Sequence, residues 1–230
     1  MRVRRPGLFA LFTLIALFLP TTFARAQSMY LERGTSGFGI GGSFMTADEW
    51  NGFGLGAGYS LSGLVDLGFG FSRISLEDSD LTGTGLSPSI SVCALKQSTE
   101  MPLSLELGVA YEHDSYDSDA LDLLGWDMSG SGYSFGLSVY GSIQASPSMN
   151  VLPIFGLAYV HTNVEVEDSY GQSVSDDDDS TSFGFGLSLA FPMARKQVFY
   201  LTPGLSIVED ETSFRVSAGF VFPTHGSSSI

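Results

Sequence analysis

Three histidines, one cysteine and 25 acids are the side chains through which this 230-residue chain could do chemistry. His113 stands beside Asp114, and Asp78 and Asp80 form a close pair. A histidine next to a carboxylate can orient a water for attack, and paired carboxylates can share acid and base work. Acid-rich segments produce such neighbours by chance, so the better reading is solvated loop residues. His161 reads as an interface side chain and His225 as part of a C-terminal tail. Serine is so frequent that a Ser–His coincidence carries no information, and no triad is named. Cys93 is alone, which excludes an internal disulfide and a multi-cysteine metal site, and it reads as a small side chain on an inner wall. No catalytic residue, cofactor or defined metal site is expected.

Two acidic groups invite a different chemistry. Asp176, Asp177, Asp178 and Asp179 follow Glu165, Glu167 and Asp168, and their oxygens suit weak association with a divalent cation. The alternating spacing of an EF-hand is absent, and adjacent acids in an unstructured loop repel, so this is a weak cation-binding loop. Asp66, Glu106 and Arg215 are different, because they sit inside apolar alternating segments. Which surface those segments present decides what the three residues line.

The chain opens with the basic stretch MRVRRPG and a twelve-residue apolar run from Leu8 to Leu19, too short for a membrane helix of about 20 residues. Ala24-Arg25-Ala26 supplies a small-x-small cleavage pattern, so residues 1–26 read as a signal peptide and Gln27 as the new N-terminus. Cleavage removes Arg2, Arg4, Arg5 and Arg25 and no acid, so the formal charge of −15 becomes −19. A surface this acidic repels nucleic acid. The remaining residues form one domain, placed at 27–222, followed by a short tail at 223–230.

From Phe38 onward large apolar residues alternate with Gly, Ser and Ala, a period of two that belongs to strands. Ten segments of about nine to eleven residues carry this pattern, the length a tilted membrane strand needs. Only Asp66, Arg73, Glu106 and Arg215 are charged within them. A water-soluble barrel would show Lys and Glu on its outside; here the face opposite the large residues is Gly and Ser. The large face therefore meets lipid, and closure into a barrel removes edges that lipid cannot hydrogen-bond. The fold expected is an all-β, antiparallel up-and-down transmembrane barrel of ten strands, with eight as the alternative. Parity turns Asp66, Glu106 and Arg215 into the lumen, as a structural polar cluster or an ion-selecting lining; the interior is otherwise written with residues too small to plug it.

Links alternate between short ones, such as Ser62-Gly63 and 193–197, and long ones at 75–84, 112–131 and 162–181. By count, 21 of the 25 acids fall in the five links of one parity, which places those links outside the cell and the N-terminus in the periplasm. Phe44, Phe53, Phe71, Tyr111, Tyr133, Tyr159, Phe183 and Phe214 would mark the outer aromatic girdle; Phe38, Tyr59, Phe191, Phe199 and Phe222 would mark the inner one. Pro88, Pro153 and Pro203 lack ladder donors, so bulges or offset pairing are expected there. Trp50 and Trp126 fall in outward loops as candidate contact residues or loop packing.

This pattern resembles the small bacterial outer-membrane β-barrel proteins, the porin-like and OmpA-like barrels, over the whole mature chain. The last strand, Arg215 to Phe222, is similar to the terminal insertion signal of such barrels through Phe220 and Phe222, with Ser217 where glycine is usual. The resemblance implies residence in the bacterial outer membrane, contact with its lipid and lipopolysaccharide, and handling by the barrel insertion machinery. It implies a non-enzymatic protein: a narrow, cation-preferring passive pore or a structural barrel with acidic extracellular loops. The alternative is a surface adhesion or interaction protein acting on an extracellular ligand through those loops. Ten-stranded barrels also include the omptin proteases, which use Asp pairs and an Asp–His pair at the outer rim; His113-Asp114 departs from their Asp-x-His spacing, which leaves this reading third.

Overall fold

Glycine or serine at every second position, with aromatic or branched residues between, disfavours helix and suits a pleated wall with one small and one large face. The computed structural model describes residues 27–77, 79–209 and 211–225. Its strands are β1 (Ser36–Thr46), β2 (Trp50–Leu61), β3 (Val65–Leu76), β4 (Thr82–Leu95), β5 (Ser104–Asp117), β6 (Asp127–Tyr140), β7 (Ile143–Ser146), β8 (Met149–Glu167), β9 (Ser173–Pro192), β10 (Val198–Val208) and β11 (Glu211–His225). Neighbours pair antiparallel in the order β6-β5-β4-β3-β2-β1-β11-β10-β9-β8, and the pairing of β6 with β8 closes the ring. The short β7 only folds back on the start of β8, so the barrel has ten staves. A four-residue helix, Gln27–Tyr30, precedes the barrel, and a capped one, Asp119–Leu124, lies in the connection between β5 and β6.

The faces are as the alternation requires. Leu55, Phe69 and Phe135 remain more than half exposed on the outside. Ser60, Asp66, Ser104, Glu106, Ser134 and Ser188 are almost wholly buried inside. Such a surface is stable only against hydrocarbon, where every backbone group must be paired within the closed sheet.

Several boundaries differ from the alternation read along the chain. The staves run 11 to 20 residues, longest at β8 and β9 with 19 and 20, so most of 112–131 and 162–181 continues the wall instead of forming loops. Loss of the apolar lipid face had marked the strand ends, but hydrogen bonding between neighbours continues above the membrane without it. The prolines produce no bulge. Pairing of β4 with β5 lapses at Ser87 and Pro88, and that of β9 with β10 at Thr202 and Pro203, yet register is the same on both sides; Pro153 keeps its place opposite Leu187. A missing donor removes one bond without requiring an extra residue. The register shifts fall instead at Cys93/Leu95, at Ser36/Gly37 and at Gln144/Ser146 of the short β7. Residues 223–225, assigned to the tail, extend β11 opposite β1. Residues 1–26 and 226–230 lie outside the described residues.

Candidate functional site

At the inner end, Asp66 on β3 and Glu106 on β5 face the lumen, 1% and 2% exposed. Both are engaged by the segment that precedes β1. The Ser28 backbone N–H donates to Asp66 Oδ2 at 2.8 Å, and the Ser28 hydroxyl donates to Glu106 Oε2 at 3.0 Å. Lys96, in the turn after β4, donates from Nζ to the Ser28 carbonyl. Burial pushes its ammonium below the usual lysine range, against the opposing pull of Cys93, Asp66 and Glu106. Tyr30 stacks on Tyr200, ring centroids 4.8 Å apart, and its hydroxyl lies 2.6 Å from Ser188 Oγ. Leu31 is buried with Tyr200 and Val221. Charged hydrogen bonds, an aromatic stack and a buried leucine together pin residues 28–31 inside the inner mouth.

Glycine on the inner face makes that possible. A Cβ on Gly39 would stand 2.8 Å from Gln27 Cγ, and one on Gly58 would stand 2.5 Å from Gln27 Nε2. The small inward residues leave room that the chain's own amino-terminal segment fills. It rests on a contact spanning 78 residues, from Ser28 to Glu106, which strand parity does not reveal. The warning available in the sequence was Tyr30-Leu31, an apolar pair in what would otherwise be a solvated stub ahead of the first strand. Below the segment lies a vestibule of about 710 Å³ whose lining includes Arg33, Lys96 and Lys196.

The outer end is also filled. Met45, Trp50, Ile74, Tyr116, Met128 and Val164 turn inward from six strands and form one apolar cluster, with Leu81 and Leu121 of the outer connections packed against it. Trp50 is 1% exposed, so it packs the barrel interior and is no loop contact; Trp126 remains exposed. Between the two closures a cavity of about 140 Å³ survives, bordered by Tyr30, Ser138, Ala158, Ser182, Arg215 and Ser217. Arg215 is thus inward, well above Asp66 and Glu106.

The acidic run Asp176–Asp179 is not an unstructured loop but part of β9, paired with His161–Val164 of β8. Asp179 accepts from the Tyr159 hydroxyl at 2.6 Å and meets His161 Nδ1 at 2.8 Å. His161 and Asp179 pair with each other one same-face step past Tyr159 of the outer aromatic ring, and the Tyr159 bond first, then His161, hold the Asp179 carboxyl below the usual carboxylate range. Asn163 donates to Asp177. Phe44, Phe53, Tyr111, Tyr133, Tyr159, Phe183 and Phe214 are exposed on the outer surface, while Phe71 and Phe222 are half-buried there.

His113 and Asp114 are neighbours in sequence but not in space: His113 faces out and Asp114 faces in, as successive strand residues must. They cannot act on one water. Asp80 accepts the Asp119 N–H at 2.7 Å and serves the outer turn, while Asp78 lies outside the described residues. Parity carried on from Glu106 through Gly108 and Ala110 would have found two inward acids that the loop assignment hid, Glu112 and Asp114.

Two autotransporter domains among the similar solved structures share this barrel fold. That of the autotransporter NalP from Neisseria meningitidis is 11% identical, with 94% of each chain covered and a TM-score of 0.52. The β domain of the Bordetella autotransporter BrkA is 10% identical over 83% of this chain and 99% of that one, with a TM-score of 0.52. Ail, the attachment invasion locus protein of Yersinia pestis, is 13% identical over 84% of this chain and all of its own, with a TM-score of 0.39. No curated protein matches the chain in sequence. The family described as outer membrane protein beta-barrel domain matches residues 10–201, and with its closed ten-stave wall and lipid-ready outer face the chain belongs to that family of integral bacterial outer-membrane barrels.

Proposed function

We propose that this barrel does not conduct freely and acts through its outer end, where it presents an acidic wall to a cationic extracellular partner, without catalysis. The observation that carries this reading is the occupation of Asp66 and Glu106, the two acids placed to line an ion path, by Ser28 of the amino-terminal segment. The apolar cluster at the outer mouth supports it from the other side. What remains accessible is the hairpin of β8 and β9, on which Glu165, Glu167, Asp176, Asp177 and Asp179 are exposed. Their combined field favours a basic partner and weakens with salt over a Debye length of about 8 Å at physiological ionic strength.

The cation-preferring pore is the second reading, and it has its own support: if residues 27–33 leave, two carboxylates line the inner mouth. Planar bilayer recording separates the two. The chain from Gln27 should be electrically silent, and polylysine should bind its proteoliposomes less tightly when Asp176–Asp179 are changed to Asn. Gly39→Val, whose nearest contacts are all atoms of Gln27, should displace the segment and leave the wall intact. Steady conductance from the unaltered chain would overturn the first reading; silence of Gly39→Val would remove the second.

A further inference from the structure

Glu112 and Asp114 point into the barrel from β5, below the outer apolar cluster, and neither role proposed above uses them. Glu112 is 1% exposed and its Oε2 has no partner. Two carboxylates this close in a buried wall repel one another and lose hydration, so their charge calls for neutralisation. The pairing register sets Ser72 of β3, Gly85 of β4 and Asp114 of β5 side by side. Over Gly85 three oxygens gather: the position a Cβ would take is 2.2 Å from Asp114 Oδ1, 2.6 Å from Ser72 Oγ and 3.0 Å from Glu112 Oε1. Ser72 Oγ and Glu112 Oε1 are 3.5 Å apart. Oxygens bound at about 2.3–2.6 Å to one cation stand roughly that far from each other.

A second observation is independent of the acids. Tyr116, the next inward residue of β5, is 7% exposed and its hydroxyl has no partner. The hydroxyl lies over Gly130, the residue paired with Asp114: a Cβ there would be 3.4 Å from it and 3.6 Å from Asp114 Cβ. We infer that Glu112, Asp114 and Ser72, with Tyr116 beside them, form an internal binding site for a hard divalent cation of the Ca²⁺ type. Every donor is oxygen, which selects hard cations over zinc or copper. The site is distinct from the exposed run on β9, where water competes for each carboxylate.

Tb³⁺, a Ca²⁺ substitute whose emission is sensitised by a nearby tyrosine, tests this in the refolded chain from Gln27 carrying Asn at 176–179, with fold confirmed by heat-shifted gel mobility. One saturable emission titration, competed by Ca²⁺, is expected. Glu112→Gln and Asp114→Asn should each weaken it at least tenfold, while Asp117→Asn, outward on the same strand, should leave it unchanged. If Glu112→Gln does not fold, Asp114→Asn decides. A titration that both folded variants leave untouched overturns the site. So does the absence of saturable binding, which would mean that the pair is neutralised by a shared proton.

Discussion

Leu31→Ala tests the docked amino-terminal segment quantitatively. Leu31 is 4% exposed and packs against Tyr200 and Val221, with Cδ1 only 2.9 Å from where a Cβ on Gly37 would be. Truncating a buried leucine costs about 2 to 5 kcal/mol. Here the lower part of that range applies, about 2 to 3 kcal/mol, because the vestibule beside it lets water into the space left behind. The loss falls on docking and not on the barrel, whose ladders do not involve Leu31. It corresponds to a roughly 30- to 150-fold shift toward the undocked state. The Ser28 amide reports that state directly, since its N–H is bonded to Asp66. Its hydrogen exchange, followed by NMR in micelles, should accelerate by about that factor in Leu31→Ala, while mid-barrel amides such as Leu107 and Gly136 keep their rates. A Ser28 amide that already exchanges like an unfolded one in the unaltered chain would refute the reasoning; so would strand amides that speed up in step with it.

Leu107, half exposed on the lipid face, should tolerate arginine poorly, with Leu107→Arg costing about 2 to 4 kcal/mol in a refolding titration. Ala110→Ser, on the inner face of the same strand, should cost under about 1 kcal/mol, and equal costs would mean the faces are reversed. In a Cys93→Ser background, a cysteine replacing Ser175 should react with an impermeant thiol reagent on intact cells, and one replacing Ser146 only after the outer membrane is opened. The Asp179 carboxyl, held low by Tyr159 and His161, gives the β8–β9 hairpin a tie that is complete above the ordinary aspartate value of about 3.9 and is lost as pH falls through its depressed value. The His161 ring signal followed by NMR should show that step, and Asp179→Asn should abolish it.

The barrel was legible because a strand turns alternate residues to opposite faces, so Phe38, Ile40 and Phe44 against Gly37, Gly39 and Ser43 already state which side meets lipid. Ten staves, the closed order and the inward parity of Asp66, Glu106 and Arg215 follow from that local rule. The strand limits did not, since 112–117 and 173–182 lose the apolar face above the membrane while their backbone bonds continue. Nor did the contents of the barrel. Ser28 reaches Glu106 across 78 residues, and Ser72, Gly85 and Asp114 meet only through the register of three strands. Alternation specifies a face and not a neighbour. The filling of the lumen, the closure of its outer end by Trp50 and the gathering of oxygens over Gly85 were decided by tertiary structure, because each depends on which distant residues the closed sheet sets opposite one another.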